Sequence, residues 1–145
     1  MKFFTTLPFL AAFVLAGCSS NIANIREQIR PSYQAINVDA DQRAAFAAAL
    51  TALTQMGFTI TSSGAAQGKI EAINSVDTTQ TPARQTTASV RFGVAPNNGT
   101  AIQILFTDIV DSRLSGREGL ATKQPLASSP LYNVFGKYVA AALKN

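Results

Sequence analysis

Few residues in this chain have side chains suited to catalysis or metal binding. Its 145 residues include one cysteine, Cys18, and no histidine. Without histidine the chain lacks the usual base of a nucleophilic triad, the imidazole metal ligand and the side chain that titrates near neutral pH. One cysteine cannot form an internal disulfide or a cysteine-rich metal site. These counts exclude several classes of enzyme and metalloprotein and direct attention to Cys18 itself.

Cys18 ends a segment with the features of an export signal. Lys2 gives a positive start, and the stretch from Phe3 to Ala16 carries no charge. That stretch is shorter than the roughly 20 apolar residues of a membrane-spanning helix. The small residues at positions 16 and 17 fit the narrow site of a peptidase, and the thiol of Cys18 is able to carry a diacylglycerol. The alternatives are an ordinary secretory signal with a chance cysteine and a buried structural cysteine.

The run Leu15-Ala16-Gly17-Cys18 resembles the lipobox of bacterial lipoprotein precursors at all four positions. The resemblance implies cleavage between Gly17 and Cys18, with residues 1–17 as signal peptide and residues 18–32 as a lipid-anchored tether. Acyl chains such as palmitate on Cys18 would hold the protein on a bilayer, because each buried CH2 contributes about 0.8 kcal/mol. In lipoproteins of bacteria with two membranes, an Asp after the cysteine marks retention in the inner membrane. Ser19 therefore implies the outer membrane, facing the periplasm.

Residues 33–145 are predicted to form a single α+β domain. Helix-forming residues from Ala40 to Met56 predict a first helix, with Asp39 as its N-cap and Gly57 as its left-handed end. Apolar alternation then predicts four antiparallel strands, at residues 58–61, 69–72, 86–95 and 100–110. Ser129-Pro130 begins a last helix. The prediction is a two-layer sandwich, a four-stranded sheet with both helices on one face; a further short strand at residues 33–38 stays open.

The apolar positions of these elements predict the core. On that basis, Phe92→Ala is expected to lower the free energy of unfolding by about 3–5 kcal/mol. The last helix is predicted to have an apolar side that includes Tyr138. The predicted core residues are Phe46, Leu50, Leu53, Phe58, Ile60, Ile70, Val90, Phe92, Ile102, Ile104, Phe106, Leu131, Phe135 and Val139.

The layout over residues 40–144 resembles small envelope lipoproteins, including the BamC-like helix-grip domains. The segments that carry the resemblance are Met56-Gly57-Phe58-Thr59-Ile60, Gly68-Lys69-Ile70-Glu71-Ala72 and Pro130-Leu131-Tyr132-Asn133-Val134-Phe135. It implies a fold and an envelope location. It implies no partner, because the long N-terminal segment of the BamC-like proteins has no counterpart here.

Charged side chains offer weaker candidate sites, each with a plainer interpretation. Asp39 and Asp41 are either a carboxylate pair or residues of a helix start. The acidic residues Asp108, Asp111 and Glu118 could bind a cation, but they lack the spacing of a calcium loop. The loop at 111–128 also contains three cations, which form either a solvated surface or a contact patch for an anionic glycan, lipid headgroup or acidic protein. These cations are Arg113, Arg117 and Lys123.

Hydroxyl groups and tyrosines give two further candidates. Ser62, Ser63 or the serines at 128–129 could pair with Lys69 or Lys123, although no nucleophile motif surrounds them. This pairing is the basis of a third, weaker interpretation, a hydrolase. Tyr132 and Tyr138 either line a groove beside the last helix or pack in the core.

The sequence favours a lipid-anchored, non-enzymatic interaction or structural accessory protein of the bacterial envelope. No catalytic residue, cofactor or metal is assigned, and the 12 Lys and Arg residues do not form the basic stripe of a nucleic-acid binder. Recognition of an envelope protein, anionic glycan or lipid is expected from the loops at 75–85 and 111–128 and from the polar sheet face. The residues assigned to that face are Thr59, Glu71, Arg91 and Gln103. The alternative is a ligand-binding module that holds a lipid or peptide in a groove between the C-terminal helix and the sheet; the oligomeric state stays open.

Overall fold

The computed structural model describes residues 32–111 and 121–144. The expected signal peptide, Cys18 and nearly all of the tether lie outside this part of the chain, as do Arg113, Arg117 and Glu118. The sequence predictions for these residues therefore stay predictions.

The described residues form an α+β fold in which one antiparallel sheet carries two helices. The strands are β1 (Gln34–Val38), β2 (Thr59–Gly64), β3 (Lys69–Ile73), β4 (Arg84–Val94), β5 (Thr100–Val110) and β6 (Thr122–Pro125), and the helices are α1 (Gln42–Gln55) and α2 (Pro130–Ala142). The strand order is β1-β5-β4-β3-β2, with β6 also paired to β5. The α+β class is confirmed, and the prediction of four strands is wrong because the sheet has six.

The two strands beyond the predicted four share one edge of β5. β1 pairs with residues 100–104, and β6 pairs with residues 107–110. β6 consists of four exposed residues, Thr-Lys-Gln-Pro, so it has no apolar alternation that could predict a strand. The predicted loop at 111–128 therefore contains a strand that pairs with β5.

Local sequence signals determine where each helix begins. The carboxylate of Asp41 accepts a hydrogen bond from the Ala44 N–H at 2.7 Å, so Asp41 is the N-cap of α1 and the prediction of Asp39 is wrong by two residues. Gly57 ends the helix with φ of 83°, as predicted. At α2 the predicted Ser129 cap is confirmed, because its Oγ accepts a hydrogen bond from the Leu131 N–H at 3.3 Å.

The core lies between the helices and one face of the sheet. The ring centres of Phe46 on α1 and Phe92 on β4 are 5.4 Å apart. Those of Phe106 on β5 and Phe135 on α2 are 6.4 Å apart. Since Phe92 and Phe106 point to the same face in the β4–β5 register, both helices cover that face.

Most of the predicted core is confirmed, with some differences in depth. Fully buried members are Leu53, Phe58, Ile70, Val90, Ile102, Ile104, Phe106, Phe135 and Val139, and partly buried members are Phe46, Leu50, Ile60, Phe92 and Leu131. The most buried side of α1 consists mainly of alanines, at positions 45, 48, 49 and 52. Tyr138 is 36% exposed, so it is not part of the core, one of the two places that the sequence left open for it.

Candidate functional site

One candidate site lies on the face of the sheet opposite the helices. Ile70 and Val90 are paired and point to the core. Because side chains alternate along a strand, the neighbouring pairs Lys69–Arg91 and Glu71–Ser89 point the other way. We call this surface, formed by Tyr33, Lys69, Glu71, Ser89 and Arg91, the open face.

A chain of polar contacts crosses the open face from β1 towards β3. The Ser89 hydroxyl donates to Glu71 Oε1 at 2.9 Å, and the Lys69 ammonium is 2.8 Å from the same oxygen. The Tyr33 hydroxyl lies 3.2 Å from Ser89 Oγ. Since serine has a single hydroxyl proton, which it gives to Glu71, Tyr33 donates to Ser89. The three contacts hold the four side chains in one arrangement.

Tyr33 also organises its surroundings on the open face. The guanidinium carbon of Arg91 lies 4.5 Å from the centre of the Tyr33 ring, within the range of a cation–π contact. Gln34 pairs with Ile104, so the preceding residue, Tyr33, lies beside Leu105 of β5. Leu105 in turn pairs with Ser89 of β4, so the Tyr33 side chain crosses β5 at Leu105 to reach Ser89. Leu105 is 6% exposed although it lies on the open face. The apolar alternation of β5 fails at this residue, at the level where the side chain of Tyr33 crosses the strand.

The open face combines fixed geometry with exposed charge. The Lys69 side chain is 53% exposed and that of Glu71 is 33% exposed, so both remain accessible to a partner. Exposed ion pairs of this kind contribute little to stability. Their arrangement beside an arginine and a tyrosine is suited to contact with another polar or anionic surface.

A second candidate site is a groove of about 660 Å³ between β1 and α2. We call it the β1–α2 groove; its lining residues are Gln34, Ala35, Ile36, Tyr132, Asn133, Gly136, Lys137 and Ala140. Strand and helix come close at Gly136, where an added Cβ atom would lie 3.5 Å from Ile36 Cδ1. The lining is a mixture of small, amide and aliphatic groups with one lysine.

One wall of the groove is held rigidly by Tyr132. Its hydroxyl donates to the Leu126 carbonyl at 2.6 Å and accepts from the Phe106 N–H at 3.3 Å. Its ring lies edge-on to Phe106, with the centres 5.1 Å apart. Tyr132 therefore packs in the core and also lines the groove, whereas Tyr138 is not among the lining residues. The sequence presented these two roles as alternatives, and Tyr132 has both.

The loop at 75–85 contains a hydrogen-bonded turn around Asp77. The carboxylate accepts from the Thr79 hydroxyl at 2.5 Å, the Thr79 N–H at 2.9 Å and the Gln80 amide at 2.9 Å. These bonds, led by that of the Thr79 hydroxyl, together with the more distant Arg84 guanidinium, lower the pKa of Asp77 below its usual value of 3.8. An Asp followed by a hydroxyl residue two positions later is the sequence signal for such a turn.

Two of the acidic candidates, Asp41 and Asp108, have structural partners. Asp41 caps α1. Asp108 accepts from the Thr86 hydroxyl at 2.8 Å and lies 3.7 Å from Arg84 Nη1. Asp111 is buried at the end of β5. Among residues 32–111 and 121–144, no group of three or more metal-ligating side chains is gathered closely enough to hold an ion.

The remaining candidates are only partly brought together. Ser62 on β2 lies opposite Glu71, the partner of Lys69, whereas Lys123 and Ser129 lie elsewhere. Of the predicted cationic patch, only Lys123 is described, and it is exposed on β6. Ser62 and Ser63 lie on β2, Lys69 is paired with Glu71, and Ser129 caps α2. No helix of the described chain is both long enough and apolar enough to cross a membrane.

The sequence matches no protein-family model and no curated protein. The interpretation of both surfaces therefore depends on their own geometry and chemistry.

Proposed function

We propose that this chain is a lipid-anchored bacterial envelope protein, a non-enzymatic interaction or structural accessory protein on the periplasmic face of the outer membrane. The lipobox supports acylation of Cys18 after removal of residues 1–17, with residues 18–32 as tether to a domain over residues 33–145. A helix layer on one face of an antiparallel sheet supports the resemblance to BamC-like helix-grip lipoproteins. The six-stranded sheet departs from the four-stranded layout expected of that resemblance.

The observation that carries the interaction role is the polar chain on the open face. Tyr33, Ser89 and Glu71 are fixed by hydrogen bonds before any partner arrives, so little side-chain freedom is lost on binding. Tyrosine and arginine are also the residues most enriched at the energetic centres of protein interfaces. A lipid anchor adds to this effect, because it raises the local concentration of the domain near membrane partners.

The partner proposed for the open face is another envelope protein, with anionic glycan or lipid as alternatives. Lys69 and Arg91 face each other across the β3–β4 pair, so the surface presents two cations to one carboxylate. This local excess of positive charge favours a partner surface with acidic groups. Lys123, with Arg113 and Arg117, is proposed as an additional contact patch.

Two measurements in intact cells test this function. Metabolic labelling with an alkyne fatty acid should label the wild-type chain and leave Cys18→Ala unlabelled. Crosslinking with mass spectrometry should identify a neighbour that Arg91→Glu loses. Arg43→Glu, the same charge change at an exposed position of α1, should keep that neighbour. An unlabelled wild-type chain would refute the anchor, and equal crosslinking of both charge variants would refute the open-face interaction.

The β1–α2 groove supports a second candidate function, the binding of a lipid or peptide. Its volume of about 660 Å³ is in the range of small-ligand sites. We expect the dye 1-anilinonaphthalene-8-sulfonate to bind the full chain in the groove and Gly136→Leu to lower its fluorescence. Ala141→Leu, at an exposed position on the same helix, is the matched control. Equal fluorescence of the two variants would show that the dye does not bind in the groove.

A further inference from the structure

We infer that the β1–α2 groove binds an extended peptide, which pairs with the edge of β1 and places an acidic side chain against Lys137. The inference rests on the second candidate function, ligand binding in the groove, and names the class of ligand. It follows from the strand edge, the shape of the groove and the charge of its lining.

One edge of β1 is unpaired in the part of the chain that the structure describes. Within residues 32–111 and 121–144, β1 pairs on one side only, with β5, and the register is regular from Gln34 to Val38. The backbone groups on the other side of such a strand are a template for an additional strand. The opposite edge of the sheet differs, because the pairing of β2 with β3 is interrupted by a bulge between Ile60 and Ser62. Bulges disturb edge pairing, so β1 is the better template.

The groove accommodates the side chains of an added strand. Alternate side chains of a peptide beside β1 would point towards α2, where Gly136 has no side chain of its own and Tyr132 and Ala140 line the wall. The Gln34 side chain, which lines the groove, donates to the Ala127 carbonyl at 3.0 Å. The five residues of β1 match an extended segment of similar length. The ligand is therefore a short peptide with small apolar residues at alternate positions.

Lys137 determines the charge of the ligand. It is the one charged residue among those that line the groove, and its side chain is exposed. A carboxylate of the peptide can form a charge-assisted hydrogen bond with this ammonium. Gln34 and Asn133 add amide groups that can pair with peptide amides. A fatty acid could meet Lys137 with its carboxylate, but it would leave the backbone edge of β1 unpaired, so the groove chemistry favours a peptide.

Selection from a phage-displayed library of random heptapeptides on the full chain in detergent micelles tests the inference. The enriched peptides should alternate apolar residues and contain Asp or Glu. A synthetic peptide of the enriched sequence should bind at least about tenfold more weakly to Gly136→Leu and to Lys137→Glu. The matched controls Ala141→Leu and Lys144→Glu should bind it as the wild-type chain does. Lys137→Glu remains informative if Gly136→Leu fails to fold, as measured by circular dichroism.

A second measurement distinguishes strand pairing from side-chain binding alone. N-methylation of single peptide amides should weaken binding at alternate positions, because only every second amide of an added strand faces β1. A uniform effect of N-methylation would overturn the pairing.

Three results would overturn the inference. None of them by itself refutes the two proposed functions, which have their own tests. One is the absence of enriched peptides while the dye still binds the groove, which keeps the groove as a ligand site. Another is binding of oleate that Gly136→Leu abolishes, without any enriched peptide, which assigns the groove to a lipid. The third is a dimer in analytical ultracentrifugation that Gly136→Leu dissociates, which assigns the groove to a second copy of the chain.

Discussion

The hydroxyl of Tyr33 donates to Ser89 over 3.2 Å, although 56 positions separate the two residues in the chain. The bond connects the start of β1 to β4 across the intervening strand β5. One side chain therefore joins three strands on the open face and also supports Arg91 on its ring.

Tyr33→Phe should lower the free energy of unfolding by about 0.5–1.5 kcal/mol, the usual net contribution of one hydrogen bond. The ring and its contact with Arg91 remain in this variant, so Tyr33→Ala should cost more. Urea denaturation measures both changes. Tyr138→Phe, at an exposed position of α2, is the control and should be neutral. Equal stability of Tyr33→Phe and wild type would mean that water replaces the bond without loss.

Tyr132→Phe should lower the free energy of unfolding by about 1–3 kcal/mol, more than Tyr33→Phe does. Its hydroxyl is the partner of two backbone groups, the Leu126 carbonyl and the Phe106 N–H, and the residue is 6% exposed. Removal of the hydroxyl leaves these groups without their partner in a place with little access to water. Hydrogen exchange of the Phe106 amide should become faster in the variant. Unchanged exchange would show that another group satisfies this amide.

Phe106→Ala should be the most destabilising core substitution, at about 3–5 kcal/mol. Phe106 is fully buried and its ring contacts those of Phe58, Tyr132 and Phe135. Phe92 is only partly buried, so Phe92→Ala should cost less than the value that its sequence pattern predicts. Thermal unfolding of both variants gives the comparison. A larger loss of stability for Phe92→Ala than for Phe106→Ala would contradict the deeper burial of Phe106.

The turn around Asp77 should make stability depend on pH in acid. Its folded-state pKa lies below 3.8, so the ionised form stabilises the fold above that pH. This contribution is lost as the pH falls through the lowered pKa. Asp77→Asn removes the titrating group, so the stability difference between wild type and variant should shrink from pH 6 to pH 2. Urea denaturation across this range measures it; a constant difference would show that Asp77 titrates alike in both states.

Two glycine substitutions should have opposite effects. Gly136→Ala should stabilise the protein by about 0.5–1 kcal/mol, because alanine favours the helix and its Cβ meets Ile36 at an ordinary contact distance. Gly99→Ala should destabilise it by about 1–3 kcal/mol, since the added Cβ would overlap the backbone carbonyl of Val38. Denaturation midpoints separate the two. Loss of stability in Gly136→Ala would mean that the helix and β1 cannot accept even one methyl group.

Local sequence signals correctly predicted the helix ends and the central strands. Gly57 and Ser129 mark helix ends, and the alternation around Val90 and Ile104 marks central strands. The alternation failed at Leu105, which lies on the open face where the side chain of Tyr33, distant in the sequence, crosses β5. β6 has no apolar residue and forms because β5 offers it a backbone edge.

The candidate sites were predictable only in part, for the same reason. Glu71 and Arg91 were correctly assigned to the polar sheet face, since their positions follow from strand alternation. Their connection through Tyr33 and Ser89 depends on strand order, which periodicity does not encode. The groove was expected between the C-terminal helix and the sheet. The strand that forms its second wall is β1, at the edge of the sheet. The residues of β1 and β5 that pair are separated in sequence by more than half of the described chain, so local patterns do not predict this wall.

The position of β1 has a mechanical consequence. β1 is the first described strand after the proposed tether. Tension applied to the tether would therefore reach the domain through the β1–β5 hydrogen bonds. The side-chain bond of Tyr33 to Ser89 is placed at the beginning of that ladder and would share the load. Detachment of β1 under tension would open the hydrophobic layer near Ile36 and dismantle one wall of the groove, so pulling on the anchor and occupancy of the groove would be linked.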